Sequence, residues 1–123
     1  MRVVLEDDTK PIFQQIYEMI EDDIVEGALE EGDQIPSTTE ISKFYQLNRA
    51  TAQKGLQVLV EEGFVYKQRG VGMFVAEGAT ARIMKKRKEA FHLQYIKPML
   101  EESKRLKMTK SEVMKFIEEG YDD

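Results

Sequence analysis

Cysteine is absent from this 123-residue chain, and histidine occurs only once, at His92. A chain without thiols has no disulfide framework and no thiolate chemistry, and its composition fits a cytoplasmic location. One imidazole supports neither a His-centred catalytic triad nor a multi-histidine metal site. We therefore expect no catalytic residues, no metal site and no cofactor, and we assign His92 to the surface or to an interface.

Long apolar runs are missing as well, and no stretch approaches the length of a membrane span. The first residues are acidic where a secretory signal would be basic and apolar. The length suits one small domain with an appendage. These features predict a cytoplasmic protein that does not associate with membranes.

A helix start is the first positive feature of the sequence. Ser37 is followed three residues later by Glu40, which is the pattern of a reciprocal capping box, and Pro36 resists extension of the helix upstream. The pattern predicts a helix over about 38–45. The side chains that we expect to face inward are Ile41, Phe44 and Tyr45.

A second helix is predicted directly after a turn around Gln46 and Leu47. Asn48 is a good N-cap for it, and Gly63 is a suitable left-handed residue to end it. Its apolar stripe consists of Ala52, Leu56, Leu59 and Val60. Two short helices this close together indicate a helix-turn-helix.

The polar face of this second helix carries side chains that suit the major groove of DNA. They are Arg49, Ala50, Gln53, Lys54 and Gln57. Arginine and lysine bind guanine acceptors, glutamine binds adenine, and a methyl group contacts thymine. Thr51 and the free N–H groups of the first turn suit phosphate oxygens. Any amphipathic helix has a polar face, and only the position within a helix-turn-helix favours DNA binding.

A glycine-containing hairpin follows the second helix. The runs FVYKQ and MFVA flank RGVG, which predicts two strands and a tight turn, the wing of a winged helix. Gly70 and Gly72 permit positive φ, while Lys67 and Arg69 add positive charge beside them. An ordinary hairpin also needs glycine to turn, so the adjacent helix-turn-helix is what favours a role in DNA binding.

The net charge of the chain is −5, and the charged residues are unevenly distributed along it. Residues 1–78 have a net charge of −8, whereas residues 43–74, which include Lys43, have a net charge of +3. Most of the acids fall in and around a predicted first helix, and we interpret them as a solvated helix face. A positive contact face on an acidic body can orient a protein on DNA.

The predicted first helix begins at Pro11 and ends near Gly27. Its expected buried stripe is Ile12, Ile16, Met19, Ile20 and Ile24. The RVVL run at residues 2–5 forms either a short strand or an ordered arm. We expect this helix to be the scaffold of the domain.

Residues 79–123 differ in composition and predict helices. A helical pattern covers about 81–107, and Pro98 should kink or break it near the middle. A final short helix has the capping-box pair Thr109 and Glu112, with Val113, Met114, Phe116 and Ile117 facing inward. The longer helix has two apolar faces that the remaining chain is too short to cover, which predicts a homodimer. The side chains assigned to dimerisation are Phe91, Leu93, Tyr95, Ile96, Met99, Leu100 and Leu106.

A basic run, RIMKKRK, occupies residues 82–88. It is open to three interpretations: a solvated helix start, additional phosphate contacts beside the wing, or a site for another anionic surface. Positive charge near a helix N-terminus opposes the helix dipole, so we expect a compensating group. DNA phosphate or the acids of a partner chain could supply it.

Two segments together resemble a known family over about 65 residues. They are PIFQQIYEMIEDDIVEGALEEGDQIPSTTEIS and LNRATAQKGLQVLVEEGFVYKQRGVGMFV, and they are similar to the N-terminal domain of GntR-type bacterial transcription regulators. The resemblance implies that the protein binds operator DNA as a dimer. It also implies DNA contacts by Arg49 and Thr51 at the start of the recognition helix and by Gly70 at the wing tip.

The sequence departs from the family pattern in two places. Thr39 stands where the family usually has a DNA-contacting arginine, and the run Thr51-Ala52-Gln53 lacks the usual basic residue. The short C-terminal segment resembles the YtrA-like branch of the family, which implies repression of nearby genes. Two helices per chain could enclose a small-molecule effector only at a dimer interface, and the sequence identifies no such effector.

These observations predict a mainly α protein with a small β-hairpin (α+β). A winged helix-turn-helix domain should occupy residues 1–78, and a two-helix dimerisation segment should occupy 79–123. The predicted function is sequence-specific repression through a palindromic operator. A winged-helix module that binds a protein instead of DNA is the alternative, which the acidic body, Thr39 and Gln53 favour. The predicted DNA-binding residues are Ser37, Thr39, Lys43, Asn48, Arg49, Ala50, Thr51, Gln53, Lys54, Lys67, Arg69 and Gly70.

Overall fold

The computed structural model describes residues 4–5 and 7–122. The elements, in chain order, are helices α1 (Ile12–Val25), α2 (Thr38–Tyr45) and α3 (Arg49–Glu61), strands β1 (Val65–Gln68) and β2 (Gly72–Val75), α4 (Ala79–Phe91), a π-helical segment (His92–Ile96), α5 (Lys97–Arg105) and α6 (Lys110–Tyr121). The described chain is mainly helical with one antiparallel hairpin, so the predicted fold class is confirmed.

The chain divides into two compact units, one up to Lys85 and the other from Lys86. The predicted domain boundary at 78/79 stays a prediction, but Ala79 and Ile83 of α4 are fully buried within the core of the first unit. Residues 2 and 3 of the predicted N-terminal strand or arm lie outside the described residues. Val4 and Leu5 have no regular secondary structure.

The core of the first unit forms where α1 packs against α3. Ile16, Met19, Ile20 and Ile24 of α1 are buried as predicted. The two helices approach each other closely at Gly55 of α3, where a Cβ atom would lie 2.8 Å from the carbonyl oxygen of Phe13 and 2.9 Å from Cγ2 of Ile16. Only a glycine leaves room for this approach, which the sequence analysis did not anticipate.

Three expectations about burial in the first unit were wrong. Ile12 and Phe44 were expected to face inward, but they are 38% and 50% exposed, because both line an open groove beside Val4, Leu5 and Leu47. The acidic face of α1 is not uniformly solvated either. Glu21 is 1% exposed, because it follows Ile20 around the helix and lies three residues before Ile24, next to the buried stripe.

The helix starts of the helix-turn-helix form as predicted. Ser37 Oγ accepts a hydrogen bond from the Glu40 N–H at 3.0 Å, and Glu40 Oε1 accepts one from the Ser37 N–H at 3.1 Å. Asn48 Oδ1 accepts from the Ala50 N–H at 2.7 Å and caps α3. The third helix ends at Glu61, and Gly63 follows with φ of +76°.

A third backbone segment extends the hairpin. In the hairpin itself, Val65 lies opposite Val75 and Gln68 lies opposite Gly72. Residues 32–35, here called the 32–35 segment, pair with the other edge of β2. The Ile35 N–H donates to the Met73 carbonyl at 2.9 Å, and the Val75 N–H donates to the Asp33 carbonyl at 2.9 Å. The segment that leads into α2 is therefore hydrogen-bonded to the wing.

The basic run begins with a structural arginine. Arg82 Nη2 donates to the Gly63 carbonyl at 2.8 Å, and its guanidinium lies 5.3 Å from the ring centroid of Phe64. A cation at the C-terminal end of a helix stabilises its free carbonyls and dipole. At the start of α4, the Glu31 carboxylate accepts a hydrogen bond from the Gly78 N–H. An acid of the same chain therefore lies at this helix start, while compensation of the basic run by DNA phosphate or by a partner chain stays a prediction.

Pro98 interrupts the long C-terminal helix through a π-helical turn. Proline has no N–H to donate to the carbonyl of Gln94, and its ring would crowd that carbonyl in a regular α-helix. The Lys97 N–H instead donates to the His92 carbonyl, five residues back, and the π-helical segment ends at Ile96, two residues before Pro98. The predicted disturbance thus takes the form of a widened turn.

The second unit exposes much of its apolar surface. Several of the residues that were assigned to dimerisation are among its exposed side chains: Phe91, Leu93, Tyr95, Leu100 and Leu106. An open apolar groove of about 380 Å³ lies between α5 and α6, lined mainly by Met99, Ser103, Leu106, Met108, Val113, Phe116 and Ile117. Ser103 is largely buried within it, and its Oγ donates to the Leu100 carbonyl at 2.7 Å. Met114, Phe116 and Ile117 of α6 were expected to face inward, but they are exposed, because the groove that Phe116 and Ile117 line is open.

The capping box of α6 gives a prediction on pH. Thr109 donates to the Glu112 carboxylate from its backbone N–H at 2.9 Å and from its hydroxyl at 3.1 Å, and both bonds lower the pKa of Glu112. The pKa of Glu112 is lower in the folded than in the unfolded state. The cap therefore stabilises α6 at pH values above the unfolded pKa, and this stabilisation is lost as pH falls through the folded pKa. In Thr109→Ala, NMR titration should show the pKa of Glu112 moving up towards its ordinary value. An unchanged titration would contradict the role of this cap.

Candidate nucleic-acid interface

The N-terminal turns of α3 present the predicted recognition residues. Ala52, Leu56 and Leu59 are buried in the core, so the opposite side of the helix faces outward. The residues exposed there are Arg49, Ala50, Gln53 and Lys54, while Thr51 is half-buried. The helix therefore offers a cation, a methyl group and an amide on one accessible surface, which are the groups that base edges require.

The start of α2 lies against the start of α3. Thr39 is exposed on the first turn of α2, and its Oγ1 accepts a hydrogen bond from Nη1 of Arg49. Ser37 and Asn48 cap the two helices, so their side-chain oxygens are already engaged by backbone N–H groups. Lys43 is exposed in the last turn of α2.

Lys54 has a partner within the fold. Its ammonium lies 4.0 Å from the ring centroid of Phe13 in α1, which is a cation–π contact. The side chain is exposed and keeps its charge at the surface, but the contact orients it towards α1. Lys54 is therefore less free to reach DNA than its position in the sequence indicates.

The wing is joined to the recognition helix by a side-chain hydrogen bond. Lys67 Nζ in β1 donates to Gln57 Oε1 in α3 at 3.3 Å. Arg69 and Gly70 are exposed at the turn, and Gly70 has φ of +76° with no atom within 4 Å of a Cβ position. The turn can therefore approach another surface without obstruction by a side chain at this position.

Gln34 is the residue of this region that the sequence analysis missed. Its Nε2 donates to the Val71 carbonyl at 3.1 Å, and it pairs with Phe74 across the edge of β2. Gly72 has φ of +148°, and a Cβ there would collide with the Gln34 side chain. The sequence contains one indication of this contact, because Gly72 is a second glycine in the hairpin, two residues after the turn glycine Gly70, and a glycine there allows another group to approach the backbone.

Metal sites and membrane-spanning helices are absent from the part of the chain that the structure describes. Within residues 4–5 and 7–122, no three His, Asp or Glu side chains lie close enough together to hold a metal ion. Across the same residues, none of the helices combines the length and the apolar character that crossing a bilayer requires. The candidate site is the exposed surface formed by α2, α3 and the wing.

Comparison with protein families gives a match over residues 12–75. The matching family is described as bacterial regulatory proteins, gntR family. The matched range begins with α1 and ends with β2, so it covers the helix-turn-helix, the wing and the helix that supports them. It amounts to more than half of the chain.

Curated relatives are transcription regulators. YhcF of Bacillus subtilis, an uncharacterized HTH-type transcriptional regulator, is 30% identical over 109 residues, and the match covers 89% of this chain and 88% of YhcF. YtrA of Bacillus subtilis, an HTH-type transcriptional repressor, is 28% identical over 74 residues, which cover 60% of this chain and 57% of YtrA. Several other relatives are much longer, and the chain matches only 27–28% of their length.

Solved structures with a similar fold include transcription regulators. A GntR-family transcriptional regulator from Bacteroides thetaiotaomicron has a TM-score of 0.76 and 32% identity, and the match covers 88% of this chain and 94% of that one. AraR(DBD) in complex with operator ORX1 has a TM-score of 0.55 and 28% identity, over 62% of this chain and 96% of that one. The second of these was solved with operator DNA bound.

The fold, the exposed recognition helix and the wing agree with the family match and with the relatives, which are regulators and not enzymes. The chain belongs to the gntR family of bacterial regulatory proteins, as a transcription regulator with a DNA-binding winged helix.

Proposed function

We propose that the protein is a cytoplasmic repressor that binds a palindromic operator as a homodimer. The observation that carries the proposal is the exposed N-terminal surface of α3, which is joined to α2 through Arg49 and Thr39 and to the wing through Gln57 and Lys67. Three elements that can contact DNA are thereby held together. In a dimer, two such helices would enter successive major grooves about one helical turn apart.

Each proposed contact follows from side-chain chemistry. Arg49 binds guanine acceptors, Gln53 binds adenine, and the methyl group of Ala50 contacts thymine. Lys67 and Arg69 bind phosphates beside the groove that the Gly70 turn enters. Phosphate oxygens are also the proposed partners of other residues at the two helix starts and on α2: Ser37, Lys43, Asn48, Thr51 and Lys54. Thr39, whose hydroxyl accepts a hydrogen bond from Arg49, belongs to the proposed interface through that bond.

The proposed dimer forms through the second unit. Its exposed large apolar side chains, among them Phe91, Leu93, Tyr95 and Leu106, would be unfavourable in water over so small a unit. A second copy that covers them removes this cost. YtrA of Bacillus subtilis is an HTH-type transcriptional repressor, which supports the same role here. The α5–α6 groove could admit a small molecule, but nothing identifies an effector.

Selection of binding sites from random duplex DNA tests this proposal directly. The purified full chain is incubated with the pool at about physiological salt, and the bound duplexes are sequenced. A two-fold symmetric motif is the expected result, and its half-site spacing should be about 10 base pairs or a multiple of it. An asymmetric motif would contradict the homodimer, and the absence of any preferred sequence would contradict sequence-specific repression.

Lys67→Ala should weaken binding to all duplexes alike. A phosphate contact contributes charge without sequence information. Its loss should make the plot of log affinity against log salt concentration less steep, by about one unit of slope. Titrations of a selected and a scrambled duplex at several salt concentrations measure both effects. Lys104→Ala removes the same charge from an exposed position in α5 and should leave the slope unchanged. A loss confined to the selected duplex would contradict the phosphate role.

A further inference from the structure

We infer that Thr39 is a positioning residue for Arg49, whose guanidinium it orients for DNA recognition. The inference rests on the proposed function, in which Arg49 contacts a base. The observation behind it is the hydrogen bond from Arg49 Nη1 to Thr39 Oγ1, which joins the starts of two consecutive helices. Thr39 thereby takes part in recognition through another side chain.

Both partners stand on backbone that is fixed by local hydrogen bonds. Thr39 follows Ser37 within the capped first turn of α2, and its carbonyl accepts a hydrogen bond from Ser42 Oγ at 3.1 Å. Arg49 is the first residue of α3 and follows the Asn48 cap. The positions of the two Cα atoms are therefore set by the helix caps, and the side-chain bond fixes the far end of the long arginine.

The geometry leaves most of the guanidinium free for DNA. Arginine carries five N–H donors in a planar fork, and Thr39 engages a donor on one nitrogen only. The other donors can still form the paired hydrogen bonds that guanine O6 and N7 accept. A planar fork discriminates between bases only when its plane is correctly oriented, so an anchor on one corner favours discrimination.

A hydroxyl suits this task better than an acid would. A carboxylate at position 39 would neutralise Arg49 and repel the phosphates of an approaching duplex. Threonine is neutral, so the charge of Arg49 remains available to DNA. Its branched side chain has few rotamers, and a stiff acceptor restrains arginine more firmly than a flexible one. Arginine that is restrained before binding loses less freedom when the complex forms.

Thr39→Val and Thr39→Ser form a matched pair for the test. Valine has the shape of threonine but accepts no hydrogen bond, whereas serine keeps the hydroxyl. The probe is the duplex that the wild-type chain enriches most from the random pool, together with versions that carry each single base-pair change. Thr39→Val should bind the selected duplex about two- to tenfold more weakly. It should also lose discrimination at the base pair that Arg49→Ala affects, and Thr39→Ser should retain both properties.

A double-mutant cycle separates positioning from direct contact. In an Arg49→Ala background, Thr39→Val should have no further effect, because the group that it positions is already gone. Equal weakening with and without Arg49 would show that Thr39 contacts DNA itself, and would overturn the inference. Unchanged affinity and base preference in Thr39→Val, while Arg49→Ala weakens binding, would overturn the inference alone. If Arg49→Ala has no effect, both the inference and the proposed role of Arg49 fail.

Discussion

Gly55→Ala should destabilise the protein, although the same change stabilises most helices. Alanine improves the propensity of a helix interior by about 1 kcal/mol. Here the new Cβ would lie 2.8 Å from the Phe13 carbonyl oxygen, and a backbone atom can move away only if α1 and α3 separate. Overpacking of this kind costs about 1–3 kcal/mol. We expect a net loss of up to about 2 kcal/mol in the free energy of unfolding, measured by urea denaturation.

Gly120→Ala is the control for this prediction. Gly120 lies in α6 with no atom within 4 Å of a Cβ position, so only the effect on helix propensity remains. It should leave stability unchanged or raise it by up to about 1 kcal/mol. If Gly55→Ala proves as stable as Gly120→Ala, the close approach of α1 to α3 does not constrain the fold.

Arg49→Ala should have the largest effect on DNA binding. The loss of a bidentate base contact costs about 1–3 kcal/mol, which corresponds to a decrease in affinity of about five- to 150-fold for the selected duplex. Affinity for scrambled DNA should fall less, because it depends on charge rather than on one base. Fluorescence anisotropy titrations with both duplexes at fixed salt measure the difference.

Arg49→Lys separates charge from geometry at the same position. Lysine keeps the positive charge but lacks the planar fork, so affinity for scrambled DNA should be retained while base discrimination falls. An Arg49→Ala variant that binds the selected duplex as tightly as the wild-type chain would remove Arg49 from the proposed interface.

The features predicted correctly from the sequence depend on neighbouring residues. The caps at Ser37, Asn48 and Thr109 each join a side chain to a backbone group two or three residues away, so a short pattern contains both partners. The turn glycine Gly70 and the helix break at Pro98 are likewise local effects of one residue's backbone. Fold class followed from the order of such local patterns.

The features that were missed depend on contacts between distant parts of the chain. The place of Gly55 at a helix crossing, and the binding of Arg82 to the end of α3, arise only when the helices pack. The burial predicted from helical periodicity was also wrong for Ile12 and Phe44. A stripe of apolar residues shows which side of a helix faces the core, but not how far along the helix other elements cover that side.

In the candidate site, too, features that depend on neighbouring residues were predictable and contacts between distant residues were not. The polar face of α3 was predictable because its buried side was clear from the sequence. The contacts that orient its side chains were not, because they come from α2, the wing and α1: Thr39 to Arg49, Lys67 to Gln57, and Lys54 to Phe13. Such contacts decide how the available chemical groups are presented.

The pairing of the 32–35 segment with β2 has a consequence for how the domain folds. Asp33 and Val75 are hydrogen-bonded neighbours, so α2, α3 and the hairpin form a closed loop of about forty residues. Closing a loop of this length costs conformational entropy that only the completed sheet and core repay. During synthesis, the loop cannot close until Val75 has left the ribosome. The helix-turn-helix and the wing should therefore gain their native order in one cooperative step.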